Sequence, residues 1–197
     1  MKPAIIFLLA MSSLSGVHAQ NESFIISYPI SFPMANLHNY ISAVSFRGIS
    51  MEFYKLVAPQ VHAGLESGWN TFYQHVDSKS YTEGTTTITG IQYRYTNSAP
   101  ILAAVRYYLE TNKNEPRAYI GGGMGTLYVN RSTDFGLYRI SVETWQFLLR
   151  PELGVEVPLG PGASFLIAAK YYWAFNSSSL DGQRSLSLNV GFNLFGH

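Results

Sequence analysis

Polar and apolar residues alternate along nearly the whole chain with a period of two. The final stretch shows this most clearly: Leu186, Leu188, Val190, Phe192 and Leu194 interleave with Ser185, Ser187, Asn189, Gly191 and Asn193. Successive side chains of a strand point to opposite faces, so such a segment has one apolar and one polar face. Near the start, Phe24, Ile26, Tyr28, Ile30 and Phe32 oppose Ser23, Ser27 and Ser31, with Ile25 interrupting the polar side.

The same alternation predicts six strands between these two. Ile49, Met51 and Phe53 alternate with Ser50, Glu52 and Tyr54, and Ala58-Pro59 then makes a tight turn. The next strand sets Val61, Ala63, Leu65 and Trp69 against His62, Gly64, Glu66, Gly68 and Asn70. Thr85 to Glu110 reads as one long strand, with Ile101, Ala103, Val105 and Tyr107 opposite Arg94, Thr96, Ser98 and Arg106, and Pro100 as a local irregularity. Arg117 to Asn130 is a strand whose inner face its glycines obscure. Trp145, Phe147, Leu149, Leu153 and Val155 face away from Gln146, Arg150, Glu152 and Glu156. Phe165, Ile167, Ala169, Tyr171 and Trp173 oppose Ser164, Ala168, Lys170 and Tyr172. Short turns are expected near Pro59, Asn112 and Pro161, and longer loops near Leu37, over Asp77 to Gly84, over Ser132 to Ser141 and over Asn176 to Gln183.

Composition narrows what eight such strands can build. The chain is 47% hydrophobic and only 13% charged, against about 25% charged in an ordinary soluble domain. It opens with Lys2, an apolar run from Ala4 to Met11, and Val17-His18-Ala19, the order of a secretory signal cleaved after Ala19. That run is far too short for a spanning helix, and no later segment is apolar enough for one. Inside a bilayer every backbone group must be paired within the protein, so an apolar exported chain of strands can cross only as a closed barrel. The expectation is an all-β protein: residues 1–19 a signal peptide, and 20–197 one closed antiparallel transmembrane β-barrel of about eight strands with up-and-down topology. Its localisation is then the outer membrane, with short turns periplasmic and long connections extracellular.

Charge and cysteine content remove several functions. Thirteen basic residues, less Lys2, match the twelve acidic ones, so nothing points to nucleic acid. There are no cysteines, which excludes disulfides and Cys-based metal sites, and no His/Asp/Glu spacing argues for a metal or other cofactor.

The chain resembles the small outer-membrane β-barrel proteins common in Bacteroidetes, grouped loosely with OmpX-like and OmpA-like barrel domains. The residues that carry this are Asn39-Tyr40-Ile41, Ser45-Phe46-Arg47-Gly48, Gly68-Trp69-Asn70, Gln92-Tyr93-Arg94-Tyr95, Tyr119-Ile120-Gly121-Gly122-Gly123 and Pro151-Glu152-Leu153-Gly154-Val155. Many such barrels end on an aromatic residue read by the barrel-assembly machinery; here Phe195 is followed by Gly196-His197. The resemblance implies a monomer among outer-membrane lipids and lipopolysaccharide, with an extracellular or envelope protein as a further partner.

The polar faces carry the candidate chemistry. Glu52, Glu66, Arg106, Arg150, Glu152, Glu156 and Lys170 all fall on inward faces, where buried charges must pair. A barrel of about eight strands is just wide enough for side chains to fill, which favours a salt-bridged plug over a selective channel. His62 faces the same way and is a candidate member. Trp69, Tyr73, Trp145, Tyr171 and Trp173 read as an interfacial girdle. Gly121, Gly123 and Gly125 lack the spacing of a phosphate loop and read as room for large side chains such as Tyr172, or as points where the backbone bends. His38 and His75, the latter with Asp77, Ser78 and Ser80 nearby, suit loop residues better than a hydrolase site, because sequence neighbours rarely achieve nucleophile–base geometry. Tyr81, Phe135 and Tyr138 are candidate platforms for stacking a carbohydrate. The reading is a non-enzymatic barrel with a structural or surface-interaction role. The alternatives are a small barrel enzyme modifying lipopolysaccharide or lipid, and an accessory subunit of an envelope secretion or uptake machine.

Overall fold

The computed structural model describes residues 22–83, 86–110, 112, 115–135 and 138–195, with the side chains of 78–83 and 86–89 left out. The expected signal peptide lies outside the described residues. Eight strands follow in order: β1 (Glu22–Met34), β2 (Gly48–Ala58), β3 (Val61–Glu83), β4 (Thr86–Tyr108), β5 (Arg117–Phe135), β6 (Tyr138–Gly160), β7 (Ala163–Ala174) and β8 (Arg184–Phe195). A short helix, α1 (Ala35–Tyr40), follows β1.

Each strand pairs antiparallel with its sequence neighbour, and β1 pairs with β8 from Ser23↔Phe195 to Met34↔Arg184, which closes the sheet into a barrel. Closure satisfies the backbone of both terminal strands and removes the open edges a flat sheet would leave. The termini, the β2–β3 turn at Pro59-Gln60 and the β6–β7 turn at Pro161-Gly162 share one end of the barrel, here the terminal end. Gln60 and Gly162 take positive φ (67° and 85°) in these turns, a region that glycine adopts without strain and other residues enter at a cost.

Two expected loops are strands. β3 and β4 pair as far as Glu83↔Thr86, and β5 and β6 as far as Phe135↔Tyr138. Polar residues in these stretches signalled a loop, yet β-branched and aromatic residues such as Thr86, Thr87, Tyr93, Thr133 and Ile140 favour an extended ladder. The stretch near Leu37 is not simply a loop either: α1 turns Leu37 inward against Ile41 and Phe72, and this apolar cluster caps the barrel mouth. Pro100 leaves a gap in the β3–β4 ladder opposite Gly68 without shifting the register, as a residue lacking an N–H should.

The alternation sorts the faces as the residue pattern requires. Along β8, Ser187, Asn189, Gly191 and Asn193 are buried in the lumen while Leu188, Val190, Phe192 and Leu194 are exposed on the outer wall. On β5 the odd residues from Arg117 to Val129 turn inward, which resolves the face its glycines hid. The outer wall is a broad belt of exposed Leu, Ile, Val, Phe, Met and Trp, including Leu65, Ile101, Met124, Phe147, Leu153 and Ile167. So large a continuous apolar surface is foreign to a soluble monomer.

Candidate functional site

Six of the predicted charged residues meet in the lumen. Arg106 and Lys170 both reach Glu52: Arg106 Nη2 donates to Oε2 at 2.6 Å and Lys170 Nζ to Oε1 at 2.7 Å. Arg106 Nε donates to Glu152 Oε1 at 2.8 Å, and Lys170 Nζ reaches Glu66 Oε2 at 3.1 Å. Arg150 completes the ring, with Nη2 2.9 Å from Glu66 Oε2 and Nη1 against Glu152 Oε2. These Arg150 contacts have ion-pair distances without good hydrogen-bond angles. Three cations thus alternate with three carboxylates, and all six side chains are fully buried. A charge without its counter-ion would be costly here, whereas the closed ring is neutral.

Tyrosines complete the enclosure. The Arg106 guanidinium lies 4.4 Å from the Tyr54 ring centre and 4.6 Å from that of Tyr119. Tyr172 donates to Glu66 Oε1 at 2.7 Å and Tyr54 to Glu52 Oε2 at 3.2 Å. Tyr54 falls two residues after Glu52 on the inward face where alternation placed it, and its part in the network comes from the ring it offers Arg106. Two apolar clusters share the interior with the ring: Ile25, Ala104, Leu166 and Ala168 belong to one, and Leu102, Leu127, Val129 and Leu148 to the other. A cavity of about 40 Å³ bounded by Ser31, Ser50, Asn70, Ser98 and Tyr172 has room for roughly three waters.

Glu156 stands apart from the six, in a second cluster. It accepts from Tyr108 at 2.6 Å, Ser164 at 2.5 Å and Asn193 at 3.1 Å, and pairs with Arg117 at 3.3 Å. Arg117 was not legible because the glycines of β5 concealed which parity faces inward. His62 packs edge-on against Tyr108, with ring centres 4.8 Å apart.

The β5 glycines do make room, but not for Tyr172. A Cβ at Gly121 would sit 2.7 Å from Glu152 Oε1, one at Gly123 would press on the Arg150 guanidinium at 3.3 Å, and one at Gly125 would lie 2.1 Å from the Ile101 carbonyl. Gly154 on β6 similarly faces the Tyr119 ring at 2.6 Å. The narrow lumen holds its large ionic side chains because these positions lack one.

On the outer wall, strand pairing sets side chains in rows across β3–β6. One row runs Trp69, Ala99, Tyr128, Trp145; the next Thr71, Asn97, Asn130, Glu143; the next Tyr73, Tyr95, Ser132, Ser141; the next His75, Tyr93, Asp134, Arg139. Rings stack within these rows, with centres 5.2 Å apart for Tyr128–Trp145 and 5.0 Å for Tyr73–Tyr95. Trp69, Tyr73 and Trp145 therefore belong to one face of the wall, while Tyr171 and Trp173 lie on β7, where Trp173 stacks on Phe175 at 5.1 Å. Arg139 donates twice to Asp134, at 2.6 and 2.7 Å, and these hydrogen bonds hold the half-buried carboxyl below the usual carboxylate range.

At the mouth, Tyr40 of α1 lies between two guanidiniums, Arg131 at 4.2 Å and Arg94 at 5.2 Å from its ring centre. Its hydroxyl donates to the Ser132 carbonyl at 2.9 Å, and Arg94 Nη1 donates to its own carbonyl at 2.9 Å, so α1 is held in place at several points. His38 is exposed on α1, and His75 Nδ1 lies 3.8 Å from Asp77 Oδ1 on the outer wall of β3. The side chains of Ser78, Ser80 and Tyr81 lie outside the described residues, and Phe135 is buried rather than presented as a platform.

No protein-family model matches the chain, and no curated protein matches its sequence. Solved structures do resemble it. The crystal structure of Neisserial surface protein A superposes with a TM-score of 0.59 at 12% identity, over 88% of this chain and 96% of that one. Ail, the attachment invasion locus protein of Yersinia pestis, in complex with the heparin analogue sucrose octasulfate, gives 0.53 at 14% identity, over 89% of this chain and 99% of that one. At such identities the likeness concerns the fold alone: the chain shares the closed eight-stranded barrel of small outer-membrane proteins.

Proposed function

We propose that this protein is a non-enzymatic, OmpX-like outer-membrane barrel with a side-chain-filled lumen, exported with cleavage after Ala19 and serving a structural or surface-interaction role. The observation that carries this is the pairing of opposites across one wall: a fully buried ring of three ion-paired cations and carboxylates inside, and a continuous apolar belt outside. A soluble protein would bury the apolar face and solvate the charged one; only a hydrocarbon surround favours the inverse arrangement.

The terminal end then faces the periplasm. The projecting β3–β6 wall, α1 and the 176–183 segment face outward from the cell, where longer connections of such barrels lie. Outer-membrane lipids and lipopolysaccharide surround the belt, the assembly machinery inserts the monomer, and an extracellular or envelope protein is the further partner. Ail, of the same fold, takes a heparin analogue, which supports a surface-binding role for the projecting elements. Refolding of the urea-unfolded protein into phospholipid vesicles tests the reading: it should yield a heat-modifiable band on cold electrophoresis and protease protection of the barrel. Failure to partition into vesicles, with a folded species remaining in detergent-free buffer, would contradict it.

A further inference from the structure

The rows of the projecting wall change character abruptly. Trp69, Tyr128 and Trp145 form an aromatic row, and beyond it the same wall turns polar. There Asn97, Asn130, Glu143, Arg139 and Tyr95 rim a groove of about 340 Å³, floored by Ser132 and Ser141. The floor is low because two serines stand side by side, Ser132↔Ser141, between the larger residues of the adjoining rows. The volume is at the small end of the roughly 300–1,000 Å³ usual for small-molecule sites.

The rim groups are partly committed, and what remains is specific. Asn130 Nδ2 donates to Glu143 Oε1 at 2.7 Å, leaving Oε2 as an acceptor. Asn97 Oδ1 accepts from Thr71 Oγ1 at 2.8 Å, leaving its amide NH2 to donate. Thr71 in turn accepts from Trp69 Nε1 at 3.0 Å, which ties the polar rim to the aromatic row. Tyr95 is braced on one side by Tyr73 at 5.0 Å. An acceptor, an amide donor and a braced aromatic ring around a shallow floor match the hydroxyls and the apolar C–H face of a pyranose ring. Charge excludes the obvious competitor. Arg139, the one cation among the groove's lining residues, is already held by both oxygens of Asp134, and Glu143 adds a carboxylate to the rim, so a phosphate or sulfate group meets no uncommitted cation there.

We propose that this groove is a binding site for a neutral pyranose unit, borne either by a membrane glycolipid or by a soluble glycan. The proposal rests on the membrane reading above, because the aromatic row places the groove at the level of the sugars nearest the lipid. Glu143 Oε2 accepts one sugar hydroxyl, the Asn97 amide donates to another, and the ring's C–H face lies on Tyr95.

The test uses the isotope-labelled full barrel in phospholipid nanodiscs, with backbone amide shifts as the readout. Insertion and heat-modifiable migration are scored first, so a failure of the membrane reading shows there and not in the sugar titration. One arm titrates methyl β-glucopyranoside; a second replaces part of the outer leaflet with rough lipopolysaccharide carrying a hexose core; a third titrates sucrose octasulfate. Saturable shifts are expected at Asn97, Asn130, Ser132, Ser141 and Glu143, with affinity falling at least tenfold in Glu143→Gln and in Tyr95→Leu. Ser141→Trp, which fills the floor, should abolish them while leaving the barrel folded. Shifts with the free glycoside assign a soluble glycan, and shifts only with lipopolysaccharide a membrane glycolipid. Absence of shifts in both sugar arms overturns the site. So do shifts that persist in all three variants, or octasulfate binding the groove more tightly than the glycoside.

Discussion

Arg106 and Glu52 meet across the lumen at 2.6 Å, although β3 separates their strands and 54 residues separate them in the chain. Lys170 of β7 reaches the same carboxylate from the other direction around the sheet, a contact possible only once the sheet has curled, so the shared Glu52 ties closure of the barrel to neutralisation of its interior. Arg106→Ala should therefore leave Glu52 and Glu152 undercompensated and cost about 3–5 kcal/mol. The solvent-accessible pair Lys55–Glu22, half-buried and 3.6 Å apart, is the control: Lys55→Ala should cost about 0–1 kcal/mol. Urea titrations in lipid vesicles measure both, and equal penalties would refute the buried ring as a stabilising element.

Outer-wall substitutions should follow depth. Leu188→Arg and Val190→Arg, in the middle of β8, should cost about 2–4 kcal/mol, and Val57→Arg, beside the β2–β3 turn, about 0–1 kcal/mol. The same titrations read them out. A flat profile along the wall would mean that no hydrocarbon layer surrounds it.

Close strand packing depends on absent side chains. A Cβ at Gly191 would lie 2.2 Å from the Ile26 carbonyl and 2.5 Å from Ser27 Cβ, at the seam where β8 closes on β1. Gly191→Ala should cost about 1–3 kcal/mol through overpacking. Gly90, with nothing among the described residues within 4 Å, should accept alanine nearly free of cost. Slower refolding and a lower urea midpoint for the first variant alone are the expected outcome.

Orientation can be read with single cysteines, since the chain has none of its own. Ser179→Cys, in the exposed segment between β7 and β8, should react with an impermeant maleimide on intact cells. Asn112→Cys, between β4 and β5, should react only after the envelope is opened. The reverse labelling would invert the barrel.

The barrel was legible because alternation is a local signal that survives wherever one face is apolar, as in Leu186 to Leu194. It failed at the mouth for the same reason. Beyond the belt the residues of both parities are mostly polar, so Asp77 to Gly84 and Ser132 to Ser141 lost their contrast and read as loops, although the ladder continues as far as Glu83↔Thr86 and Phe135↔Tyr138. The inward charges were visible one strand at a time, but their grouping was not. That Glu156 leaves the ring for Arg117 and Tyr108 depends on how far each strand is staggered around the barrel, which no single strand records. The groove at Ser132 and Ser141 was hidden likewise, because it is assembled from three strands by register.

Conductance tests the central claim most directly. On the proposed function, the ring of Glu52, Glu66, Arg106, Arg150, Glu152 and Lys170 closes the lumen, as the width of an eight-stranded barrel permits. Purified protein in a planar bilayer should give no large, steady current at any polarity. Reproducible porin-sized openings from the unmutated barrel would contradict the account and make the protein a channel.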